Sequence, residues 1–145
     1  MKRKVDPMGR FFVEFEIANN DDLVAAKLGL LDPNKVRRKK LRGLVDTGAT
    51  KLILPKAIAA EMGFPVKRDK VKVRYADGRR GLRPEVGGIH VTLLGRENVF
   101  SAVVEPKRDE ALIGAIVLED LDFLADCSKQ RLVPRDPDHI FSEIE

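Results

Sequence analysis

Short runs in which apolar and polar residues alternate, separated by glycine- and proline-containing turns, constrain the fold of this chain more than any other feature. The clearest run is 11–17, Phe-Phe-Val-Glu-Phe-Glu-Ile, where every second side chain is apolar. A period of two is the pattern of a half-buried strand. Comparable runs at 71–75, 89–93 and 99–104 bring the expected total to about seven or eight short strands. Together they predict a mostly β domain with a closed or sandwich-like sheet.

Two or three short helices are expected between the strands. One should run from about 55 to 62, because Pro55 suits the first turn of a helix and Gly63 suits its end. A second is expected from 116 to about 124, directly after a short apolar strand. The segment 19–34 offers helix caps followed by spaced leucines, so we interpret it as a short amphipathic excursion between two strands.

Length and composition indicate one globular domain. The chain has 145 residues, of which 43% are hydrophobic and 34% charged, which is ordinary for a folded domain of this size. Its single cysteine, Cys127, cannot form an internal disulfide, and the basic start 1–4 is not followed by the apolar stretch of a secretory signal. No apolar run approaches the roughly 20 residues that cross a bilayer. We therefore expect a cytoplasmic protein with no membrane partner.

The positive charge of the chain raises the question of nucleic acid. The net charge is +4, and basic residues cluster at 37–40 and at Arg42. No recognisable nucleic-acid-reading module accompanies them, so a solvated strand accounts for the cluster more simply. A basic RNA- or DNA-binding domain remains open as a third hypothesis.

The candidate for chemistry is the tripeptide Asp46-Thr47-Gly48, which follows the apolar pair Leu44-Val45. An aspartate that activates water for amide hydrolysis needs a second carboxylate close enough to share one proton. Only one aspartate of this chain is followed by Thr-Gly, so a second one must come from another chain. The alternative is an aspartate that only caps a turn, since Asp-Thr-Gly is also good turn chemistry.

A second element, Leu112-Ile113-Gly114, precedes a short helix, and its Gly114 lies 68 residues after Asp46. With this pair, the sequence from about Phe11 to Pro134 resembles the retropepsin-like aspartic proteases, the single-domain group that includes retroviral proteases and their bacterial relatives. The resemblance implies a closed β-barrel protomer and a homodimer that cleaves a peptide or protein substrate. Without Asp46, the second element would be only a buried strand ended by glycine.

The resemblance also assigns roles to residues. Asp46 of both subunits would form the active site, Thr47 would hydrogen-bond across the dimer axis, and Gly48 would keep the loop tight. Leu112, Ile113 and Gly114 would support this loop. Ala49 follows the motif and would line the substrate site, as in retroviral proteases.

The hairpin around 75–80 lies where the family places its flap, which closes over bound peptide. Its candidate substrate-binding residues are Tyr75, Ala76, Asp77 and Gly78, although Asp-Gly also marks an ordinary hairpin turn. This tip is charged, whereas retroviral flaps are rich in glycine and apolar. Ala115 and Lys51 also depart from the retroviral pattern, in which an arginine and an acidic residue form a supporting ion pair near these positions.

The sequence therefore predicts an N-terminal extension at 1–10, a protease domain at 11–134 and a polar C-terminal tail at 135–145. We expect an aspartic endopeptidase that is active as a homodimer and needs no cofactor. No metal site is expected, because neither His90 nor His139 has cysteine or histidine neighbours at ligand spacing. The alternative function is a catalytically silent dimeric module that binds peptides on the same fold.

Overall fold

The computed structural model describes residues 10–145, and the part it describes contains nine strands, three α-helices and a short 3-10 helix at Pro33–Lys35. All but the last residue of the predicted N-terminal extension therefore lies outside the described residues. The strands are β1 (Phe11–Asn19), β2 (Arg38–Val45), β3 (Leu52–Pro55), β4 (Val66–Arg74), β5 (Arg80–Leu93), β6 (Arg96–Glu105), β7 (Ala111–Ile113), β8 (Phe123–Asp126) and β9 (Arg131–Pro134), and the helices are α1 (Asn20–Lys27), α2 (Lys56–Met62) and α3 (Ala115–Leu121).

Six of the strands form a closed barrel. Their order is β1-β2-β7-β3-β6-β5, and β5 pairs back with β1 from Glu16↔Thr92 to Asn19↔Ile89. Closure leaves each of these strands paired on both sides along part of its length, which removes most exposed strand edges. The mostly β, closed-barrel fold predicted from the sequence is confirmed, as are its short helices.

Strand β5 belongs to two structures along its 14 residues. From Glu85 onward it pairs with β6, beginning at Glu85↔Val103, and is part of the barrel. Its first residues pair with β4 alone, for example Arg74↔Arg80 and Lys72↔Leu82. The outer part of the β4–β5 hairpin therefore extends from the barrel, and Glu85 lies where it begins.

The barrel interior is filled by branched aliphatic side chains. Those with essentially no exposed surface include Ile17, Leu54, Ile89, Leu93 and Leu121. Burying each such side chain contributes roughly 1.5–3 kcal/mol to folding before entropy is counted. Because these residues come from β1, β3, β5 and α3, the same core fixes the barrel and the helix that follows β7.

Helix α1 forms where helix caps were predicted, but the amphipathic interpretation of the 19–34 segment is wrong. The side chain of Asn19 accepts a hydrogen bond from the backbone N–H of Asp22 at 3.1 Å and thereby caps the helix. No residue of α1 is buried, and Leu28 and Leu30 beyond it are 67% and 78% exposed. Asn19 is itself buried, and its side-chain amide also donates to the Met62 carbonyl at 2.9 Å. The helix is therefore held by the hydrogen bonds of Asn19 and not by an apolar face.

Helix α3 ends at Leu121 rather than near residue 124. Asp122 adopts a left-handed conformation with φ 63° and turns the chain, so that Phe123 begins β8. Strands β8 and β9 pair with each other in a separate two-stranded sheet. The apolar run that suggested a longer helix is therefore divided between a helix and a strand.

Candidate active site

Asp46 stands at the end of β2, beside the second element predicted to support it. Strands β2 and β7 run parallel, with Val45 opposite Ile113, and the backbone N–H of Asp46 donates to the Ile113 carbonyl at 3.0 Å. The structure thus brings the tripeptide and Leu112–Gly114 together. Both strands are buried at this point, so the position of the Asp46 backbone is set by the barrel core.

The loop after β2 folds back on the Asp46 carboxylate. The backbone N–H of Gly48 donates to Oδ1 of Asp46 at 2.9 Å, and that of Ala49 donates to the Asp46 carbonyl at 3.1 Å. Arg10 places a guanidinium nitrogen 3.8 Å from the other carboxylate oxygen. The Asp46 side chain is 24% exposed, so the carboxylate is oriented by the loop and still accessible.

Gly114 packs against the same loop more closely than any side chain would allow. A Cβ atom at this position would lie 2.4 Å from the Lys51 carbonyl oxygen and 2.7 Å from that of Ala49. The two residues after Gly114 continue the attachment, since Ala115 donates to the Ala49 carbonyl at 2.8 Å and Ile116 donates to that of Thr50 at 2.9 Å. The start of α3 is therefore packed against the Asp46 loop and hydrogen-bonded to it.

Thr47 differs from its neighbours because its side chain has no hydrogen-bond partner in the part of the chain that the structure describes. Its residue is exposed, and within residues 10–145 its hydroxyl makes no hydrogen bond to another described group. A hydroxyl in this position can bond to solvent or to a second chain. The tripeptide thus presents a carboxylate and a hydroxyl on one accessible loop.

A buried carboxylate that the sequence did not reveal lies behind the loop. Glu85 has no exposed side-chain surface, and its oxygens accept hydrogen bonds from Lys51, from Arg68 and, at 3.1 Å, from the Ser101 hydroxyl. Burial by itself raises the pKa of Glu85, but the hydrogen bonds from these three partners outweigh it and lower the pKa to about 2. Lys51, which stands near the retroviral acidic position, here pairs with an acid from the hairpin base.

The β4–β5 hairpin ends in the turn that contains the four predicted substrate-binding residues. Gly78 donates to the Tyr75 carbonyl at 2.9 Å, and its φ of 87° favours glycine. Asp77 accepts from the backbone of Arg79 at 3.0 Å and from its guanidinium at 2.7 Å. These bonds to Arg79 lower the pKa of Asp77. Asp77 therefore stabilises the turn itself, and Tyr75, Ala76 and Gly78 are its other members.

Tyr75 joins the outer part of the hairpin to the barrel. Its hydroxyl donates to Glu105 at 2.6 Å, and Arg83 lies 3.2 Å from the same carboxylate oxygen. Glu105 ends β6 and is 8% exposed. Burial, together with the hydrogen bond to Glu105, raises the pKa of Tyr75. Two carboxylates, Glu85 at the base and Glu105 further out, thus fix the hairpin.

The structure also locates the residues that were considered for metal binding and for thiol chemistry. No group of three or more His, Cys, Asp or Glu residues within 10–145 is placed to hold a metal ion. Cys127 is exposed with a free thiol. His90 lies 3.6 Å from Glu97 on the neighbouring strand. None of the helices in the described residues is long and apolar enough to cross a membrane.

Comparison with known proteins decides the family. Residues 33–120, more than half of the chain, match the model of the family described as "gag-polyprotein putative aspartyl protease". The chain belongs to this family. The matched residues include the Asp46 loop, the whole β4–β5 hairpin and Leu112–Gly114, so membership in the aspartyl proteases rests on the segments that build the site.

Two further comparisons accompany the family match. Among solved structures, EIAV protease complexed with the inhibitor HBY-793 is similar over 57% of this chain and 77% of that chain, with 20% sequence identity and a TM-score of 0.48. No curated protein sequence matches this chain.

Proposed function

We propose that this protein is an aspartic endopeptidase whose active site is completed by a second copy of the chain. The observation that supports it best is the Asp46–Gly48 loop, which is fixed by the barrel yet leaves its carboxylate 24% exposed. Membership in the aspartyl protease family supports the same reaction. In this proposal Asp46, Thr47 and Gly48 are the catalytic residues, and Leu112, Ile113 and Gly114 support them.

The need for two chains follows from the chemistry. One carboxylate must act as base toward water while its partner acts as acid, and two carboxylates at hydrogen-bond distance hold one proton between them. The chain contains one Asp-Thr-Gly tripeptide, so a two-fold dimer would supply the second Asp46. The exposed hydroxyl of Thr47 then has a partner across the axis.

The substrate in this proposal is an extended peptide held between the loop and the β4–β5 hairpin. Ala49 would line the floor, and Tyr75, Ala76, Asp77 and Gly78 would cover the peptide as a flap. Backbone groups at the hairpin would hydrogen-bond the extended substrate, the usual way a strand edge binds a peptide. The exposed free thiol of Cys127 supports a reducing compartment, so we propose the cytoplasm as the site of action.

The decisive experiment measures both catalysis and sharing of the site. Wild type and Asp46→Asn are incubated with a mixed peptide library from acid to neutral pH, and cleavage is expected from wild type alone. The two proteins are then mixed in equal amounts under conditions of subunit exchange. A site built from two copies of Asp46 should retain about one quarter of the activity, and a site built from one chain about one half.

The proposal has clear opposing outcomes. Equal cleavage by wild type and Asp46→Asn would refute the proposal that Asp46 catalyses peptide hydrolysis. Binding of peptide without cleavage by a folded dimeric wild type would favour the catalytically silent module. Activity that falls in simple proportion to the fraction of mutant chains would refute an active site shared between two chains. Circular dichroism of Asp46→Asn provides the control that the fold is intact.

A further inference from the structure

Positive charge is concentrated on the β4–β5 hairpin. Residues 66–83 contain eight lysines and arginines and two aspartates, which gives this segment a formal charge of +6. The whole chain carries +4, so the remaining residues together carry −2. The element proposed to cover the substrate is therefore the source of the basic character of the protein.

Three of the hairpin cations already have acidic partners in the fold. Arg68 binds Glu85, Arg79 binds Asp77 at 2.7 Å, and Arg83 lies 3.2 Å from Glu105. These pairs stabilise the hairpin base and its turn. They leave the cations of the outer strands to be explained.

The cationic cluster formed by Lys72, Arg74 and Arg80 has no such partner. Arg74 lies directly opposite Arg80 across the two strands, and all three residues are exposed. Together with Val73 they line a surface depression of about 310 Å³. Within the described residues, the side chain of none of the three forms an ion pair or a hydrogen bond. Like charges directly opposite on a sheet destabilise it, so the cluster costs stability that an anionic partner would recover.

Protection of a strand edge explains only part of this arrangement. Lysines commonly prevent an edge strand from pairing with other chains, and β4 is such an edge because it pairs with β5 alone. Edge protection requires charges along β4 and does not require Arg80 on β5 to face Arg74. The convergence of three cations from two strands on one depression fits a binding site better.

We propose that the cationic cluster is the docking site for an acidic segment of the polypeptide substrate. The inference rests on the proposed function, because it treats the hairpin as part of the substrate site. Arginine binds carboxylates through two parallel hydrogen bonds, and the unpaired edge of β4 offers backbone groups to an extended peptide. No aromatic residue lines the depression, whereas proteins that hold single-stranded nucleic acid combine cations with aromatic stacking.

The test compares two peptides that share one scissile sequence taken from the library experiment. One peptide is flanked by Glu-Glu-Glu and the other by Gln-Gln-Gln. Wild type should cleave the Glu peptide with a kcat/KM about tenfold higher, mainly through a lower KM, and added salt should reduce the difference. The triple variant Lys72→Glu, Arg74→Glu, Arg80→Glu should lose or reverse this preference.

A matched control variant makes the same change in net charge at positions outside the hairpin. The triple variant Lys27→Glu, Lys35→Glu, Lys56→Glu replaces three exposed lysines outside the hairpin and should keep the preference of wild type. If the hairpin triple variant does not fold by circular dichroism, Arg80→Gln alone should reduce the preference. Equal kcat/KM for both peptides in wild type would overturn the docking site and leave the protease function standing.

Direct binding separates failure of docking from failure of catalysis. If neither peptide is cleaved, the protease proposal fails, and fluorescence anisotropy of the labelled Glu peptide then decides the docking site. The same Kd for wild type and the hairpin triple variant would overturn it, and weaker binding by the variant would support it. Displacement of the Glu peptide by a single-stranded oligonucleotide at lower concentration than by polyglutamate would overturn it in favour of nucleic acid.

Discussion

Lys51, on the loop that carries Asp46, donates a hydrogen bond to Glu85, whose side chain is fully buried where β5 enters the barrel. Arg68 of β4 binds the other oxygen of the same carboxylate. One buried acid thus joins three segments: the Asp46 loop, the base of the hairpin and, through Ser101, β6. Glu85 therefore links the hairpin base directly to the Asp46 loop.

Replacing Glu85 with glutamine should cause a loss of stability that depends on pH. The folded-state pKa of about 2 lies below the ordinary value of 4.5, so the ionised form stabilises the fold above pH 4.5. That contribution, on the order of 3 kcal/mol, is lost as pH falls toward 2. Urea unfolding should show Glu85→Gln less stable by on the order of 1–3 kcal/mol at neutral pH, with the difference vanishing near pH 2.

Many acids titrate in this range, so the difference between the two proteins is the quantity to follow. Glu119→Gln, an exposed change on α3, is the matched control and should parallel wild type. A Glu85→Gln curve that stays parallel to wild type from pH 7 to pH 2 would contradict the assigned ionisation.

Adding one methyl group at Gly114 should disturb the Asp46 loop. The new Cβ would contact backbone carbonyls of Lys51 and Ala49 at 2.4 and 2.7 Å, and backbone cannot rotate away as a side chain can. Gly114→Ala should cost about 2–3 kcal/mol of folding free energy and lower cleavage more than tenfold. Gly87→Ala, whose Cβ would meet nothing closer than 3.9 Å, should stay within about 0.5 kcal/mol of wild type. Similar stability and activity for both variants would show that the close packing at Gly114 is unimportant.

The single tyrosine of the chain allows the outer attachment of the hairpin to be measured by ultraviolet titration of its phenol. Burial and the hydrogen bond to Glu105 raise the pKa of Tyr75. The phenol should therefore ionise at a higher pH in the folded protein than in protein unfolded by urea. Because the folded pKa is raised, this group opposes folding as pH rises beyond about 10. Glu105→Gln should reduce the difference without removing it, since burial remains. Identical titration of folded and unfolded protein would exclude this attachment.

The C-terminal tail should be released by a change at Asp122. This buried carboxylate lies 2.9 Å from the Arg135 guanidinium and accepts from the backbone N–H of Phe141 at 2.9 Å. Asparagine tolerates the left-handed backbone at this position but lacks the charge. Asp122→Asn should lower the free energy that holds the tail in place by about 1–2 kcal/mol. Trypsin should then cleave the variant after Arg135 about five- to thirtyfold faster than wild type. The exposed change Asp109→Asn is the control, and equal cleavage of all three proteins would refute the anchoring role.

Some elements could be predicted because their information is local. The alternation at 11–17 predicts β1, and the turn residues Asp77 and Gly78 predict the hairpin. Strand β4 begins at Val66 rather than 71, because both faces of its first half are exposed and no alternation marks it. The turn at Asp122 was missed because a left-handed aspartate gives no sequence signal as clear as glycine.

Glu85 could not have been found from the sequence alone. Its partners Lys51, Arg68 and Ser101 lie 34, 17 and 16 residues away and come from three different elements. The family resemblance linked Asp46 with Gly114 because their spacing is part of a known pattern. Glu85 belongs to no such pattern, and only the folded barrel brings its partners together.

The position of β4 outside the closed barrel has a consequence for how copies of this protein meet. Its outer edge is the open backbone edge of the seven-stranded sheet, and cations follow one another along it. A second β4 approaching this edge would bring the same charges and be repelled, which opposes strand-to-strand aggregation. At high protein concentration, association through the β4 edges is therefore disfavoured relative to association through other surfaces of the barrel.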